Sequence, residues 1–209
     1  VATVFSHFAA SEDPELDAFT RRQALVFTEA AEKISKTLGY PVLRHICNSA
    51  AIVRFPEYQF EMVRPGIGIY GAGRLEGLSL RPAGRFRTKI SQVKSIPAGE
   101  PVGYGCMDAA GNDRLIGIVP VGYADGLNRR LGNRNGEMLV RNRRVQIIGN
   151  ICMDMCMIDI SGTGAAEGDD VEIFGENIPI EELASRCQTI PYEMLTSIPA
   201  RVKRVFFRE

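Results

Sequence analysis

Along the first 85 residues, apolar positions come in short runs separated by one long stretch of helical spacing. Residues 2–8 are such a run and read as a strand. Residues 11–14 then carry helix-capping chemistry, with Ser11 or Asp13 as N-cap, and a long helix to about Leu38 follows. Leu16, Phe19, Ala30, Ile34 and Leu38 mark its buried face, and Gly39 is its stop. Residues 42–47 predict the next strand, 49–54 a short helical turn and 60–64 a third strand. This β-α-β-α-β order is the rhythm of parallel sheets and (β/α) barrels.

From about Phe86 the pattern changes to alternating strands joined by Gly, Asn and Pro turns. Strands are expected over residues 88–96, 114–121, 137–140, 145–148, 155–160 and 170–174, with Arg141-Asn142-Arg143 as a hairpin turn. Residues 180–187 and 192–197 read as short helices, and 201–207 as a closing strand. The expected fold is therefore α/β plus all-β: residues 1–85 as part of a barrel-like α/β unit, residues 86–209 as a compact β domain.

Composition narrows the function mainly by exclusion. The 209 residues are 45% hydrophobic, enough for a real core, and 25 basic residues balance 25 acidic ones. No net charge recruits nucleic acid or an anionic membrane. No apolar run approaches the roughly 20 residues of a membrane helix, and V-A-T-V-F-S-H-F lacks the basic start of a signal peptide, so the chain reads as cytoplasmic. Five cysteines in apolar contexts (Cys47, Cys106, Cys152, Cys156, Cys187) read as reduced thiols, and no zinc-ligand spacing is present. A chain that starts at Val1, inside an expected strand, reads as a fragment or a processed product.

One short segment invites a specific ligand. Gly66-Ile67-Gly68-Ile69-Tyr70-Gly71 fits the G-x-G-x-x-G spacing of a dinucleotide turn, but that turn must open a helix and be followed by an acid at a second strand end. The sequence after it, A-G-R-L-E-G-L-S-L-R-P-A-G-R, is too rich in glycine and proline for such a helix. Two readings survive: a phosphate held by backbone N–H groups at a parallel strand end, or a tight turn between domains.

Val121-Gly122-Tyr123-Ala124-Asp125-Gly126, followed by Arg129, resembles the catalytic tyrosine segment of the alanine racemases. Ser6-His7-Phe8-Ala9, Asn48-Ser49-Ala50, Val63-Arg64-Pro65-Gly66-Ile67, Cys152-Met153-Asp154 and Pro191-Tyr192-Glu193 resemble the same family in the same order. The resemblance implies the last part of an eight-stranded barrel, a C-terminal β domain and pyridoxal 5'-phosphate as cofactor.

It also implies roles. Tyr123 is similar to the base on one face of the substrate, Arg64 to the arginine facing the cofactor's pyridine nitrogen, and His7 to a histidine linking the two. A phenol of ordinary acidity, pKa about 10, is ionised to roughly one part in a thousand at pH 7, so a tyrosine base needs cationic or hydrogen-bonding neighbours. Ser49, the backbone N–H groups of Gly66 and Ile67, and Tyr192 correspond to phosphate ligands, with Asn48 beside them; Met153 corresponds to the residue whose N–H receives the substrate carboxylate. Without the resemblance, Tyr123 is a strand tyrosine, Arg64 a surface ion pair, Ser49 a helix N-cap, and Met153 and Tyr192 core residues. His45 corresponds to no functional position of the family and reads as structural. Asn150 stands where many members carry arginine, and Pro65 is a variable position.

Racemisation needs a base on each face of the substrate carbon. The family's second base is a lysine in a K-A-D-x-Y-G-H-G segment, which this sequence lacks. The expected partners are therefore alanine, a missing N-terminal half of the same protein, and a second copy in a head-to-tail homodimer that receives Tyr123 in trans. The chain alone is expected to be inactive, and the whole to supply D-alanine for peptidoglycan. The competing readings are a decarboxylase of the same fold and a non-catalytic assembly domain of racemase ancestry.

Overall fold

The computed structural model describes residues 1–73 and 75–207. Backbone contacts divide the chain into two units between Ala83 and Gly84.

In the first unit, β1 (Thr3–Phe5) and β2 (Leu43–His45) pair in parallel, Phe5 opposite His45, and α1 (Asp17–Leu38) is the crossover between them. Asp13 caps a single 3-10 turn, Pro14–Leu16, that leads into α1, whereas the Ser11 hydroxyl is turned inward to Asn48. Gly39, at φ +76°, closes the helix in the left-handed conformation that glycine adopts without strain. The buried stripe is Thr20, Ala24, Phe27 and Ala31, with Ile34 and Leu38 partly buried. Leu16, Phe19 and Ala30, expected on that face, are exposed. The face that turns inward carries two small residues, Ala24 and Ala31, beside Phe27, while the large side chains of Leu16 and Phe19 stay outside it. Phe8, Phe27, Ile46, Cys47 and Phe55 fill the core beneath.

The third strand expected over residues 60–64 is absent. Leu43 N–H and His45 C=O of β2 are engaged toward the β1 segment, which leaves Arg44 N–H pointing the other way. There it donates to the Glu61 carboxylate at 2.8 Å, so a side chain takes the place of a ladder carbonyl. Phe60 is left-handed (φ +50°), which breaks the extended conformation, and the segment rejoins β2 through Arg64 N–H to Cys47 O, 3.0 Å. Between β2 and this segment lies α2 (Ser49–Arg54), and after residue 66 comes a 3-10 turn, Ile67–Tyr70.

The second unit is a seven-stranded antiparallel sheet. Its strands are β3 (Phe86–Lys89), β4 (Gln92–Ile96), β7 (Arg114–Val119), β8 (Glu137–Val140), β9 (Arg143–Ile148), β10 (Cys156–Asp159) and β11 (Asp170–Phe174), in the order β3-β11-β8-β9-β10-β7-β4. The expected single strand over residues 88–96 is thus two, one at each end of the sheet. At the joint, Ile90 N–H bonds Asp169 O and Ser91 N–H bonds Ile118 O, so one continuous segment draws the two ends together. Arg141 (φ +47°) and Asn142 (φ +62°) form the two-residue primed turn between β8 and β9. The side chains of Met138, Val140, Val145, Ile147, Ile158 and Val171 alternate into the core.

A small hairpin, β5 (Pro101–Val102) and β6 (Asp108–Ala109), is too short for periodicity to show. It is held from below: Asp108, buried, takes Arg114 at 2.5 Å and Arg134 at 3.0 Å. Helices α3 (Ile180–Arg186) and α4 (Pro191–Thr196) follow. No closing strand forms over residues 201–207. Residues 201–207 pair with neither end strand of the sheet, β3 or β4, and Phe206 and Phe207 are left exposed.

Candidate active site

On the first unit, the parallel pairing of β1 and β2 brings Ser6, His7 and His45 to one end of the strands, and Arg64 reaches into that group. Its Nη2 donates to Ser6 O (2.6 Å) and lies 3.3 Å from His7 Nδ1; its Nη1 donates to His45 O (3.1 Å) and lies 2.5 Å from His45 Nδ1. The guanidinium also lies over the Phe5 ring, which stacks on His45. Arginine has no acceptor, so His45 Nδ1 must be the unprotonated nitrogen. Burial, and after it the charge of Arg64, lowers the His45 pKa and keeps the imidazole neutral. His45 is thus a buried residue that bears on the Arg64 guanidinium. Its signal was positional: it occupies the C-terminal end of a parallel strand, where barrel sites gather their side chains.

A second group forms four residues further on. Asn48, rather than Ser49, caps α2: its Oδ1 accepts Ala51 N–H (3.0 Å) and the Ser11 hydroxyl (2.9 Å). Ser49 is thereby released from capping. Its buried Oγ accepts the backbone N–H groups of Gly66 (2.9 Å) and Gly68 (3.2 Å), which leaves its O–H to point elsewhere. A Cβ on Gly68 would stand 3.4 Å from that oxygen, and Ile67 is buried between the two glycines. Gly71 belongs to the turn alone, because a Cβ there would stand 1.8 Å from Arg81 O.

With its oxygen taken by Gly66 and Gly68, Ser49 keeps its O–H as a neutral donor of the kind a phosphate dianion accepts, and Arg64 is a permanent cation of the kind that donates to a ring nitrogen; both chemistries suit pyridoxal phosphate. No group of three or more His, Cys, Asp or Glu side chains with metal-binding geometry occurs among the described residues. The cysteines are free thiols, and burial pushes Cys47 up to about 11.

On the second unit, β7 ends in a 3-10 turn, Tyr123–Asp125, closed by Gly126 at φ +95°. Tyr123 N–H bonds Cys152 O and Ala124 N–H bonds Met153 O, each at 3.0 Å, so the tyrosine turn lies directly on the Cys152-Met153-Asp154 segment. Gly122 makes the approach possible, since a Cβ there would stand 2.2 Å from Met153 O. Tyr123 is not a strand residue, and Met153, 54% exposed, is not core; Tyr192, on α4, is 46% exposed. All three side chains are presented to the surface. Asn150 ties two loops together, donating to Tyr104 O (2.8 Å) and accepting from Asn133 (3.1 Å).

The candidate residues thus fall on two units: His7, Asn48, Ser49, Arg64, Gly66 and Ile67 on the first, Tyr123, Met153 and Tyr192 on the second. No helix among the described residues is long and apolar enough to cross a membrane.

Comparison with known proteins identifies the family. Residues 1–74 match the family described as "Alanine racemase, N-terminal domain", and residues 83–206 match "Alanine racemase, C-terminal domain". A curated relative, the alanine racemase of Desulfosudis oleivorans, is 41% identical over 97% of this chain and 54% of its own length. Among solved structures, alanine racemase of Clostridium difficile 630 superposes with a TM-score of 0.91 at 32% identity, covering 99% of this chain and 56% of that one. Alanine racemase from Bartonella henselae with covalently bound pyridoxal phosphate does so with a TM-score of 0.87 at 29% identity, covering 99% and 57%. The chain spans little more than half the length of the relatives it matches.

Proposed function

Since this chain belongs to the alanine racemase family and carries the end of its barrel domain followed by its C-terminal β domain, we propose that it is the C-terminal part of an enzyme interconverting L- and D-alanine. The observation that carries the reading is the hydrogen-bonded group at the ends of β1 and β2, where Arg64 joins Ser6, His7 and His45 while Ser49 gathers the N–H groups of Gly66 and Gly68.

In this reading Ser49, Gly66, Ile67 and Tyr192 hold the phosphate, with Asn48 fixing the Ser49 turn, and Arg64 donates to the ring nitrogen. When bound, pyridoxal phosphate supplies the electron sink that acidifies the alanine Cα–H. Because a guanidinium does not give up its proton, Arg64 leaves the ring nitrogen neutral and the sink weak, which favours rapid return of a proton to Cα over side reactions. Tyr123 removes or returns the Cα proton on one face, and a lysine outside this chain serves the other. Met153 N–H receives the substrate carboxylate. His7, 3.3 Å from Arg64, is the hydrogen-bonding link from the guanidinium towards the tyrosine.

The resemblance further supports a head-to-tail dimer in which Tyr123 works in the barrel of a second copy, in the cytoplasm, to supply D-alanine for peptidoglycan. Exposed Phe5 and Leu43 on the two-stranded sheet fit an N-terminal half that covers them. The test is direct. The full-length protein with pyridoxal phosphate should convert L-alanine to D-alanine, and the 209-residue chain alone should not. Release of carbon dioxide in place of D-alanine by the full-length protein would overturn the reading in favour of a decarboxylase.

A further inference from the structure

Two aspartates flank the exposed residues of the second unit: Asp125 ends the Tyr123 turn, and Asp154 follows Met153. One guanidinium joins them. Arg201 Nη2 lies 2.8 Å from Asp125 Oδ1 and 2.9 Å from Asp154 Oδ1, and its Nε donates to the same Asp125 oxygen at 2.9 Å. The other Asp125 oxygen accepts Gly122 N–H at 2.9 Å, so this carboxylate holds the turn together from inside while Arg201 holds it from outside. The chain just before the arginine also meets the turn. Ser197, the residue after α4, donates its hydroxyl to Gly126 O at 3.3 Å, and a Cβ on Gly126 would stand 2.9 Å from Ile198 Cα. The contacts therefore run from the Tyr123 turn, through the Met153 segment, to the end of the helix that carries Tyr192.

We propose that Arg201 is a positioning residue for Tyr123 and Met153, locking the two segments that carry them by bridging Asp125 and Asp154. The inference rests on the racemase reading of the site. Tyr123 is 45% and Met153 54% exposed, so core packing cannot fix them. Two backbone bonds set the register of the segments, and beyond these Arg201 is the cation at the junction. Since one Nη2 contacts both carboxylates, they are close neighbours that repel once the cation is removed. Exposed single ion pairs contribute little to global stability, so the expected effect is on the geometry of the site more than on folding.

The test uses the full-length protein with pyridoxal phosphate and three variants: Arg201→Met, Arg201→Lys and, as a remote salt-bridge control, Arg144→Met. Arg201→Met should lower kcat by about ten- to a hundredfold, as expected for a misplaced reacting group, while Arg144→Met leaves it unchanged. Arg201→Lys should recover part of the loss. Deuterium at Cα gives a readout that a general loss of structure cannot imitate. The isotope effect should grow for the alanine enantiomer whose proton Tyr123 removes and shrink for the other, because only the Tyr123 step has become slower. In the cofactor-free full-length protein, amide exchange should quicken over residues 122–126 and 152–155 in Arg201→Met and stay unchanged over β9. Unchanged isotope effects, or equal changes in both directions, would overturn the proposal, as would unaltered amide exchange. If Arg201→Met does not fold, Arg201→Lys carries the same comparisons. An inactive wild-type protein would instead sink the racemase reading and leave amide exchange to decide on the clamp.

Discussion

Ser49 shows how one side chain becomes available for chemistry because a neighbour takes over its structural duty. With Asn48 as the cap, the Ser49 hydroxyl collects two backbone N–H groups that lack another ladder or helix partner. Ser49→Ala should leave those part-buried donors without their acceptor, at about 1 kcal/mol, and remove a proposed phosphate ligand. A lower melting temperature together with a weaker pyridoxal phosphate titration in the full-length protein is the expected pair of results. Tyr123 is the opposite case, an exposed phenol whose hydroxyl has no visible structural duty. Tyr123→Phe should lower turnover by about 10²–10⁴-fold, the usual worth of a positioned acid or base, with cofactor affinity and melting temperature nearly unchanged. A loss of stability matching the loss of turnover would show that the phenol serves packing.

At the scale of elements, the junction of Arg44 and Glu61 decides where the first unit's sheet stops. The Arg44 side chain, by hydrogen bonding, is the main cause that holds the Glu61 carboxyl down to about 2, below its ordinary 4.5. A depressed folded-state pKa contributes stability above the unfolded value and loses it as pH falls through the folded one, so this contact weakens between about pH 4.5 and 2. Glu61→Gln should therefore flatten the acid limb of the stability curve; melting temperatures at about pH 6 and pH 3 check it, and an unchanged slope would exclude the contact as its source.

The same junction shows what sequence reading can reach. Capping residues and Gly39 located α1 because the signal is local, and the β8–β9 turn was legible in Arg141-Asn142 for the same reason. The third strand failed because its own Glu61 carboxylate, in place of a backbone carbonyl, takes the Arg44 N–H, a contact that exists only once the two segments meet. The break at Ile90–Ser91 depends on the two ends of one segment finding different partners, Asp169 and Ile118, a property of the assembled sheet. In the candidate site, ordered motifs point to Arg64, Ser49 and Tyr123 as proposed functional residues, but the contact of His45 with Arg64 appears only once β1 and β2 are in register, and that of Arg201 with Asp125 and Asp154 only once distant segments meet.

At the scale of the whole molecule, the two groups of candidate residues ride on separate units, and the proposed dimer brings the second group of one copy to the first group of another. Mixing full-length Arg64→Ala and Tyr123→Phe chains tests this. Random reassociation makes half the dimers mixed, and each mixed dimer has one site free of both substitutions, so activity should recover to about a quarter of wild type. If the tyrosine acts within its own chain, both substitutions fall on complete sites and no recovery occurs.

The joint at Ile90–Ser91 also bears on how the second unit comes into being. Strand β3 must wait for β11 near the far end of the domain, and β4 for β7, before either is paired. Such distant pairings are slow to form, and no half of this sheet is a finished object that could fold ahead of the rest. Cutting the peptide at the joint would leave β3 held by β11 alone and β4 by β7 alone, two edge strands with one neighbour each and no covalent tie between them. The point of greatest vulnerability to irreversible clumping is thus a buried seam, where Ile90 is 1% exposed, and the solvent-facing loops are the safer places to interrupt the chain.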